Sequence, residues 1–592
     1  MKKLLICLVA LILFTMTVAT AQPIEARPFT TDMTVDTSTD LYLSAYYGLW
    51  SMDIDVEGAM RTMCVYVPES YFPCCDMLLV VAPDGKTAEE FANESGWMPI
   101  AEKYGFGIAF FEAKDGVWNL EDPSGELAYY QTAINVFGNR EIIDFGEASL
   151  YMIGYGEGAS VAQIISLSYS SMLAGVVAMG GSDVDADYIR KVGDEQSIVF
   201  SINVDFDTRL DGYYNKDVVM PIWIVNDGDS NQALTDYWLN ANDVIDEGLY
   251  NEYGRVYIQD ELHMDGTINN KALSRVWISE MEGAAGYFDE AFQEDMWNNF
   301  FTERRRFSSE PNGALRVGYT LEEIGMKQYS AQIDGVTRYW LVYVPTGYDA
   351  TSEVPLLVAN HGHAARAEVY AQHSEWWRVA EARGFIVVFP QGSRCVNHTL
   401  CGCTRWASEE WEADYIRTVL ESVTTEYSID TSRIYVTGHS NGGQFTGYLA
   451  IELSDVFAAA ANIGGTYSQL AETPTHEQGV YMPYLGIVGQ YDLMGMGVYE
   501  DADDNRTFNH MKQRLAYNGM EEAIPLIKNT GSYTQYYYYG SELNIPMVQV
   551  MINDNFHHSY VPQYAWLAWD EFFSLYSRGE DGTLYYCSTA VN

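Results

Sequence analysis

A handful of residues in the second half of this 592-residue chain have the types and order needed for nucleophilic acyl transfer. In Thr-Gly-His-Ser-Asn-Gly-Gly, residues 437–443, Ser440 lies between Gly438 and Gly442. A serine hydroxyl attacks a carbonyl only when a base takes its proton and a third group orients that base. At serine elbows between a strand and a helix, the acid and then the histidine follow the serine in the chain. Asp492, in Gly-Gln-Tyr-Asp, fits the acid; the adjacent His557 and His558, after Met-Val-Gln-Val-Met-Ile, both fit the base. Only one of the two rings can face Ser440. The developing oxyanion needs two N–H donors. The amide of Asn441, first in the helix after the elbow, is one, and the amide of His363, in the loop Asn-His-Gly-His after an earlier apolar run, is the other.

A lone G-x-S-x-G is weak evidence, so the elements that carry it matter. Ser-Arg-Ile-Tyr-Val-Thr reads as a strand and Gly-His-Ser-Asn-Gly as a turn; the next stretch reads as a helix with Phe445, Leu449 and Leu453 on one face. Short Val/Ile/Leu/Phe runs alternating with amphipathic stretches predict a mostly parallel sheet covered by helices on both faces. The pattern occurs twice. Val-Tyr-Val-Pro stands at 65–68 and 342–345, and Met-Leu-Leu-Val-Val-Ala-Pro-Asp-Gly (77–85) answers Pro-Leu-Leu-Val-Ala-Asn-His-Gly (355–362). Leu-Ala-Gly-Val-Val-Ala-Met-Gly-Gly (173–181) answers Phe-Ala-Ala-Ala-Ala-Asn-Ile-Gly-Gly (457–465). An internal repeat of this kind predicts two similar units. The first has its own elbow, Ile-Gly-Tyr-Gly-Glu-Gly-Ala at 153–159, followed by a helix that groups Val161, Ile164 and Ile165. Gly156 stands where the second has Ser440, and Asp84-Gly85-Lys86 is aligned with His361-Gly362-His363. Asp229 and His263 follow in the order of an acid and a base.

Composition narrows the partners. The first residues combine Lys2 and Lys3, an apolar run from Leu4 to Val18, and Ala19-Thr20-Ala21, the pattern of a cleaved export signal over 1–21. Its removal takes two lysines and no acid, moving the formal charge from -49 to -51. Such a chain repels phosphate backbones and anionic lipid, which argues against nucleic acid or a membrane as partner. Seven cysteines remain, an odd count, with a local bridge from Cys395 to Cys401 or Cys403 as one pairing. A zinc site there with His398 lacks a second ligand pair at suitable spacing. The acidic runs 183–187 and 500–505 lack the glycine and closing glutamate of a calcium loop and read as solvated.

Taken with Arg-Ile-Tyr-Val-Thr-Gly-His-Ser-Asn-Gly-Gly, Ala-Arg-Gly-Phe-Ile-Val-Val-Phe-Pro-Gln-Gly and the final His-Ser-Tyr-Val-Pro, the second half resembles the polyhydroxybutyrate depolymerase-like esterases of the α/β hydrolases, which include feruloyl and acetylxylan esterases. The resemblance implies two tandem α/β-hydrolase domains: a degenerate one over 22–305 and an active one over 306–578, joined near 304–320 and followed by a short tail, 579–592. It favours His558, the histidine followed by Ser-Tyr, as base, with His557 in reserve. It implies a secreted serine esterase acting without metal or organic cofactor on an ester-bearing polymer or its fragments. Trp406, in a loop that resembles the family's pre-elbow loop, either lines an acyl pocket or sits in the core. The rival readings are a serine peptidase of the same fold and a secreted binding protein whose elbow is a relic.

Overall fold

The computed structural model describes residues 23–30, 46–72, 74–138, 148–198, 209–228, 232–244, 248–258, 264–265, 271–281, 286–310, 313–333, 335–394, 404–466, 481–492, 499, 505–540, 544–554 and 556–591. Two large, mostly parallel sheets flanked by helices dominate it. The first runs, from edge to edge, Arg27–Pro28, Gly48–Val56, Ala59–Val67, Gly107–Phe111, Met77–Val81, Leu150–Tyr155, Gly175–Met179, Ile222–Asn226, Arg275–Glu280, Gly254–Ile258 and Leu249–Asn251. The second runs Lys327–Ile333, Val336–Tyr343, Ile386–Pro390, Val354–Asn360, Ile429–His439, Ala459–Ile463, Tyr484–Gly489, Pro546–Asn553, Tyr533–Tyr539 and Leu526–Thr530. Apart from the short edge strand Arg27–Pro28, the two have the same order and the same strand directions, with an antiparallel hairpin at each edge and a parallel centre.

Both sheets are buried on both faces, so their central strands are mostly apolar, with buried exceptions such as Asn462 and Gln549. All six residues of Leu150–Tyr155 and of Tyr484–Gly489 are buried. In Met77–Val81, residues 77, 79 and 81 join the core on one face and 78 and 80 the core on the other, the period-2 alternation of a strand. Phe445, Leu449 and Leu453 are fully buried, as the helical spacing required.

The junction is folded. Arg304–Phe307 and Ala314–Val317 form a hairpin, with Arg304 and Arg306 only 2% exposed. Arg306 Nε donates to Leu173 O (2.9 Å) and Nη1 to Gly313 O (2.6 Å), so this arginine satisfies buried carbonyls, while Arg305 pairs with Asp76 (2.6 Å). On the other side of the hairpin, Phe307 stacks on His373 at 4.1 Å. Residues 579–592, expected as a tail, supply Leu584–Tyr586 and Thr589–Val591, which add to Tyr576–Arg578 as a three-stranded sheet with Leu584 and Val591 buried.

Candidate active site

The elbow turns at Ser440, between the strand Ile429–His439 and the helix Asn441–Glu452, with φ 53° and ψ −117°. That region is strained for a residue with a Cβ, by about 1–3 kcal/mol. The turn is held by Ser440 N–H donating to Ile463 O (2.7 Å). A Cβ on Gly442 would overlap the carbonyls of Asn360 and His361, and one on Gly438 would overlap Gly442 O. Both glycines are therefore required for the helix to start this close to the strand ends.

At this turn the structure brings together three groups far apart in sequence. Ser440 Oγ–H donates to His558 Nε2 (2.8 Å), and His558 Nδ1–H donates to Asp492 Oδ2 (2.8 Å). Asp492 is 1% and His558 8% exposed, so the pair works away from bulk water. Gly464, at φ 61°, allows the approach: a Cβ there would stand 3.3 Å from His558 Cε1 and 3.4 Å from Asp492 Oδ2. His557 is turned elsewhere, its ring 5.6 Å from that of Tyr491, and burial lowers its imidazole below the ordinary value. Beneath His558 lies the ring of His439, 5.3 Å away and nearly parallel. Burial, then the charges of His558 and His373, holds His439 well below the ordinary histidine range, so it is a neutral platform.

The loop after Val354–Asn360 faces the serine: a Cβ on Gly362 would lie 3.5 Å from Ser440 Cβ. Ala364 N–H donates to Thr404 O (2.9 Å), which fixes that amide of the loop on a neighbouring segment. His361 is a structural residue. Its Nε2 accepts from Gly392 N–H (2.8 Å) and its Nδ1–H donates to Gly362 O (2.7 Å). Burial pushes its imidazole down to about 4, which keeps it neutral. Trp406 is 2% exposed, stacks on Phe445 at 4.5 Å and donates from Nε1 to His361 O (2.9 Å). It is a core residue that ties down the loop, and the Asn441 side chain clamps it by accepting from Trp406 N–H (2.7 Å) and donating to Trp406 O (3.1 Å). Neither Asn441's clamp nor the His439 platform was singled out from sequence, because neither residue type announces a contact 35 or 119 residues away.

The first sheet carries the same elbow. Gly156 has φ 54° and ψ −131° and donates to Met179 O (3.0 Å). Strand pairing corrects one alignment. Val81 pairs with Gly154 as Asn360 pairs with Gly438, so Ala82-Pro83-Asp84, rather than Asp84-Gly85-Lys86, stands where the second half has His361-Gly362-His363. A slip of two residues keeps every side chain on its own face, which is why the apolar pattern did not expose it. Trp118 Nε1 donates to Ala82 O (2.7 Å) as Trp406 does to His361 O, and Asp84 Oδ1 accepts from Trp118 N–H (2.9 Å). Around Gly180, the counterpart of Gly464, the neighbours of an added Cβ would be Tyr287 Oη (3.4 Å) and Asp227 Cβ (3.8 Å). Burial and the nearby Asp227 push the Tyr287 hydroxyl up to about 12.

Asp229, His263, His398, Cys395, Cys401, Cys403, residues 500–504 and the leader 1–21 lie outside the described residues. In the acidic run 183–187, Asp185 caps a helix by accepting from Tyr188 N–H (2.9 Å) and Asp187 pairs with Arg190 (2.7 Å). Among the described residues no helix is long and apolar enough to cross a membrane.

Residues 338–476 match the family described as esterase PHB depolymerase. That span holds Ser440, Asn441 and His363 and ends before Asp492 and His558. Among similar proteins, a poly(3-hydroxyalkanoate) depolymerase C of Paucimonas lemoignei is 36% identical over 129 residues, 21% of this chain and 30% of that protein. A bifunctional acetylxylan esterase/xylanase of Neocallimastix patriciarum is 29% identical over 132 residues, 22% of this chain and 18% of that protein. The chain thus aligns with under a third of the length of either relative. An acetyl xylan esterase structure from Aspergillus awamori aligns with 42% of this chain and 99% of its own length, at 16% identity and a TM-score of 0.32.

Proposed function

We propose that the chain, whose residues 338–476 match the esterase PHB depolymerase family, is a serine esterase working through an acyl-enzyme. The observation that carries this reading is the relay Asp492–His558–Ser440, with both hydrogen bonds at 2.8 Å, on an elbow that accepts backbone strain to present Ser440. In the proposed reaction Ser440 Oγ attacks the ester carbonyl as His558 Nε2 takes its proton, and Asp492 keeps the imidazolium oriented. The N–H groups of Asn441 and His363 receive the oxyanion. His558 then gives its proton to the leaving alkoxide, and water, activated by the same ring, releases the acid. The near-buried Asp492–His558 pair favours this step, since fixed charges act more strongly there than in water.

The substrate class follows the relatives: carboxylic esters of a polymer or its fragments, whether acylated polysaccharide or polyhydroxyalkanoate. In this reading the chain is exported, and the first half is a hydrolase-like copy without the nucleophile. The test is mass spectrometry after fluorophosphonate treatment, with turnover of short aryl esters and peptide amides in parallel. A single adduct on Ser440, absent in Ser440→Ala, and ester turnover without amide turnover are expected. No adduct and no turnover would reduce the elbow to a relic.

A further inference from the structure

An oxyanion donor is useful only when held within about 0.5 Å of its working position, so the attachments of the loop His361–Arg366 are part of the site. Two attachments come from the second half: Ala364 N–H donates to Thr404 O (2.9 Å), and Thr404 Oγ1–H donates to Ala365 O (2.6 Å). The first half reaches the loop through Thr404. Cys74, fully buried, places its Sγ 3.8 Å from Thr404 Oγ1. Because the Thr404 proton is already given to Ala365, the thiol is the donor and the hydroxyl oxygen the acceptor. Nearby, Phe72 meets the Tyr339 ring edge-on at 5.9 Å, and the Arg366 guanidinium lies 5.4 Å from the Phe72 ring centre. Tyr339 donates to Gln391 Oε1 (3.1 Å), the same oxygen that accepts from Ala367 N–H (2.9 Å) at the start of the helix after the loop. The contacts of Phe72 and Cys74 therefore converge on residues 364–367, the end of one short loop and the start of the helix after it. The corresponding loop of the first half has Gly85 N–H donating to Gly116 O (2.8 Å), with no side chain on either residue to receive such a contact.

We propose that the first half is a brace built into the same chain: Phe72 and Cys74 are positioning residues that hold the His363 amide on the oxyanion, so turnover in the second half depends on the first. This rests on the reading of Ser440 as nucleophile.

The experiment uses the full chain carrying Cys74→Ala, Phe72→Ala, Phe72→Tyr, Thr404→Val, or Cys74→Ala with Thr404→Val. A displaced donor should lower kcat on a short aryl ester about tenfold, a fraction of the roughly 10²–10³ lost with a whole donor. KM should stay within about twofold, and the rate of Ser440 labelling by a fluorophosphonate should fall by the same factor as kcat, because that reaction uses the same hole. Phe72→Tyr, which keeps the ring, should retain wild-type kcat, and the double variant should lose no more than the worse of its two parents. Wild-type kcat and labelling in Cys74→Ala and Phe72→Ala would overturn the brace alone, as would losses that multiply in the double variant. If Phe72→Ala does not fold, Cys74→Ala, which removes one sulfur atom, decides between the two outcomes. Absence of labelling in the unmodified chain would overturn the nucleophile assignment and the brace with it.

Discussion

Gly156 and Ser440 occupy the same turn, with backbone angles that agree within 15° and amides that donate to matching carbonyls on the next strand. Their surroundings differ. Ser440 faces an imidazole backed by a carboxylate, whereas the corresponding position by Gly180 is taken by the Tyr287 hydroxyl, and Pro83, which has no N–H, stands where Gly362 opens the loop. The difference shows that the elbow is first a packing device. Gly154 and Gly158, like Gly438 and Gly442, are needed because the helix begins against the strand ends, and a Cβ on any of them would overlap backbone. The motif alone therefore marks a strand–turn–helix unit. In the proposed reaction, chemistry enters only with three side chains, at 440, 492 and 558, and with the backbone of the open loop at 362–363.

The comparison breaks first at the nucleophile. Ser440→Ala should lower kcat on a short aryl ester by about 10⁵–10⁶, since nucleophile and base act as a unit. A variant retaining a tenth of the activity would remove the assignment. His558→Ala should be nearly as damaging and His557→Ala mild. Tyr287→Phe, at the matching place in the first half, should leave turnover within about twofold if, as proposed, the first half carries no reaction of its own. A large loss in Tyr287→Phe would mean that the first half takes part in the chemistry.

The halves also bury a glutamate differently, and this sharpens the comparison through stability. Glu126 pairs with Arg61 Nη1 and Nη2 at 3.0 Å, so Glu126→Gln should cost about 3–5 kcal/mol by leaving a buried charge unpaired. Glu412 instead accepts from the amides of Ala407 and Ser408 and from the Ser393 hydroxyl, beside the loop that carries Trp406. Burial, opposed by Arg338, pushes its carboxyl up to about 7. Its folded-state value is raised, so between the ordinary 4.5 and about 7 the folded chain holds a proton that the unfolded chain has released. Stability from this group is present at low pH and falls as pH rises through that window, by at most about 3 kcal/mol. Urea midpoints from pH 5 to 7 should therefore decline less steeply in Glu412→Gln. Equal slopes would show that Glu412 does not titrate there.

Much of this was legible in the chain. Phe445, Leu449 and Leu453 announced the buried helix face, the apolar runs announced strands covered on both sides, and the order serine, acid, histidine pointed to the residues that the structure brings together. What sequence could not carry was register and reach. The alternation around 77–85 has a period of two, so an alignment slipped by two residues looks as good as the right one. Arg305 and Arg306 read as an interruption because their partners are an aspartate, Asp76, and the carbonyl of Leu173, in distant segments. The contact of Cys74 with Thr404 spans 330 residues, and nothing in either local pattern points to the other.

The smallest expected effect on turnover is the most direct test of the comparison: Gly156→Ser in a Ser440→Ala background should restore no activity. The backbone is not the obstacle, since Gly156 already has the φ and ψ that Ser440 uses. The new side chain would carry the same strain, about 1–3 kcal/mol, so the variant should unfold at a lower denaturant concentration. Its Cβ would also stand 3.2 Å from Pro83 Cβ, closer than ordinary van der Waals contact, and the proline or the helix start must give way. The hydroxyl would then find a Tyr287 phenol, raised to about 12, in place of an imidazole. At neutral pH that group is protonated and cannot take the serine proton, so general-base assistance worth about 10²–10⁴ is missing. The loop offers no compensation, because Pro83 stands where Gly362 opens it and the Asp84 carboxylate is held by Trp118 N–H (2.9 Å). Ester turnover by the double variant above about ten times that of Ser440→Ala, with fluorophosphonate bound at position 156, would show that the first half retains a working hole and base. The distinction drawn between the two elbows would then fail.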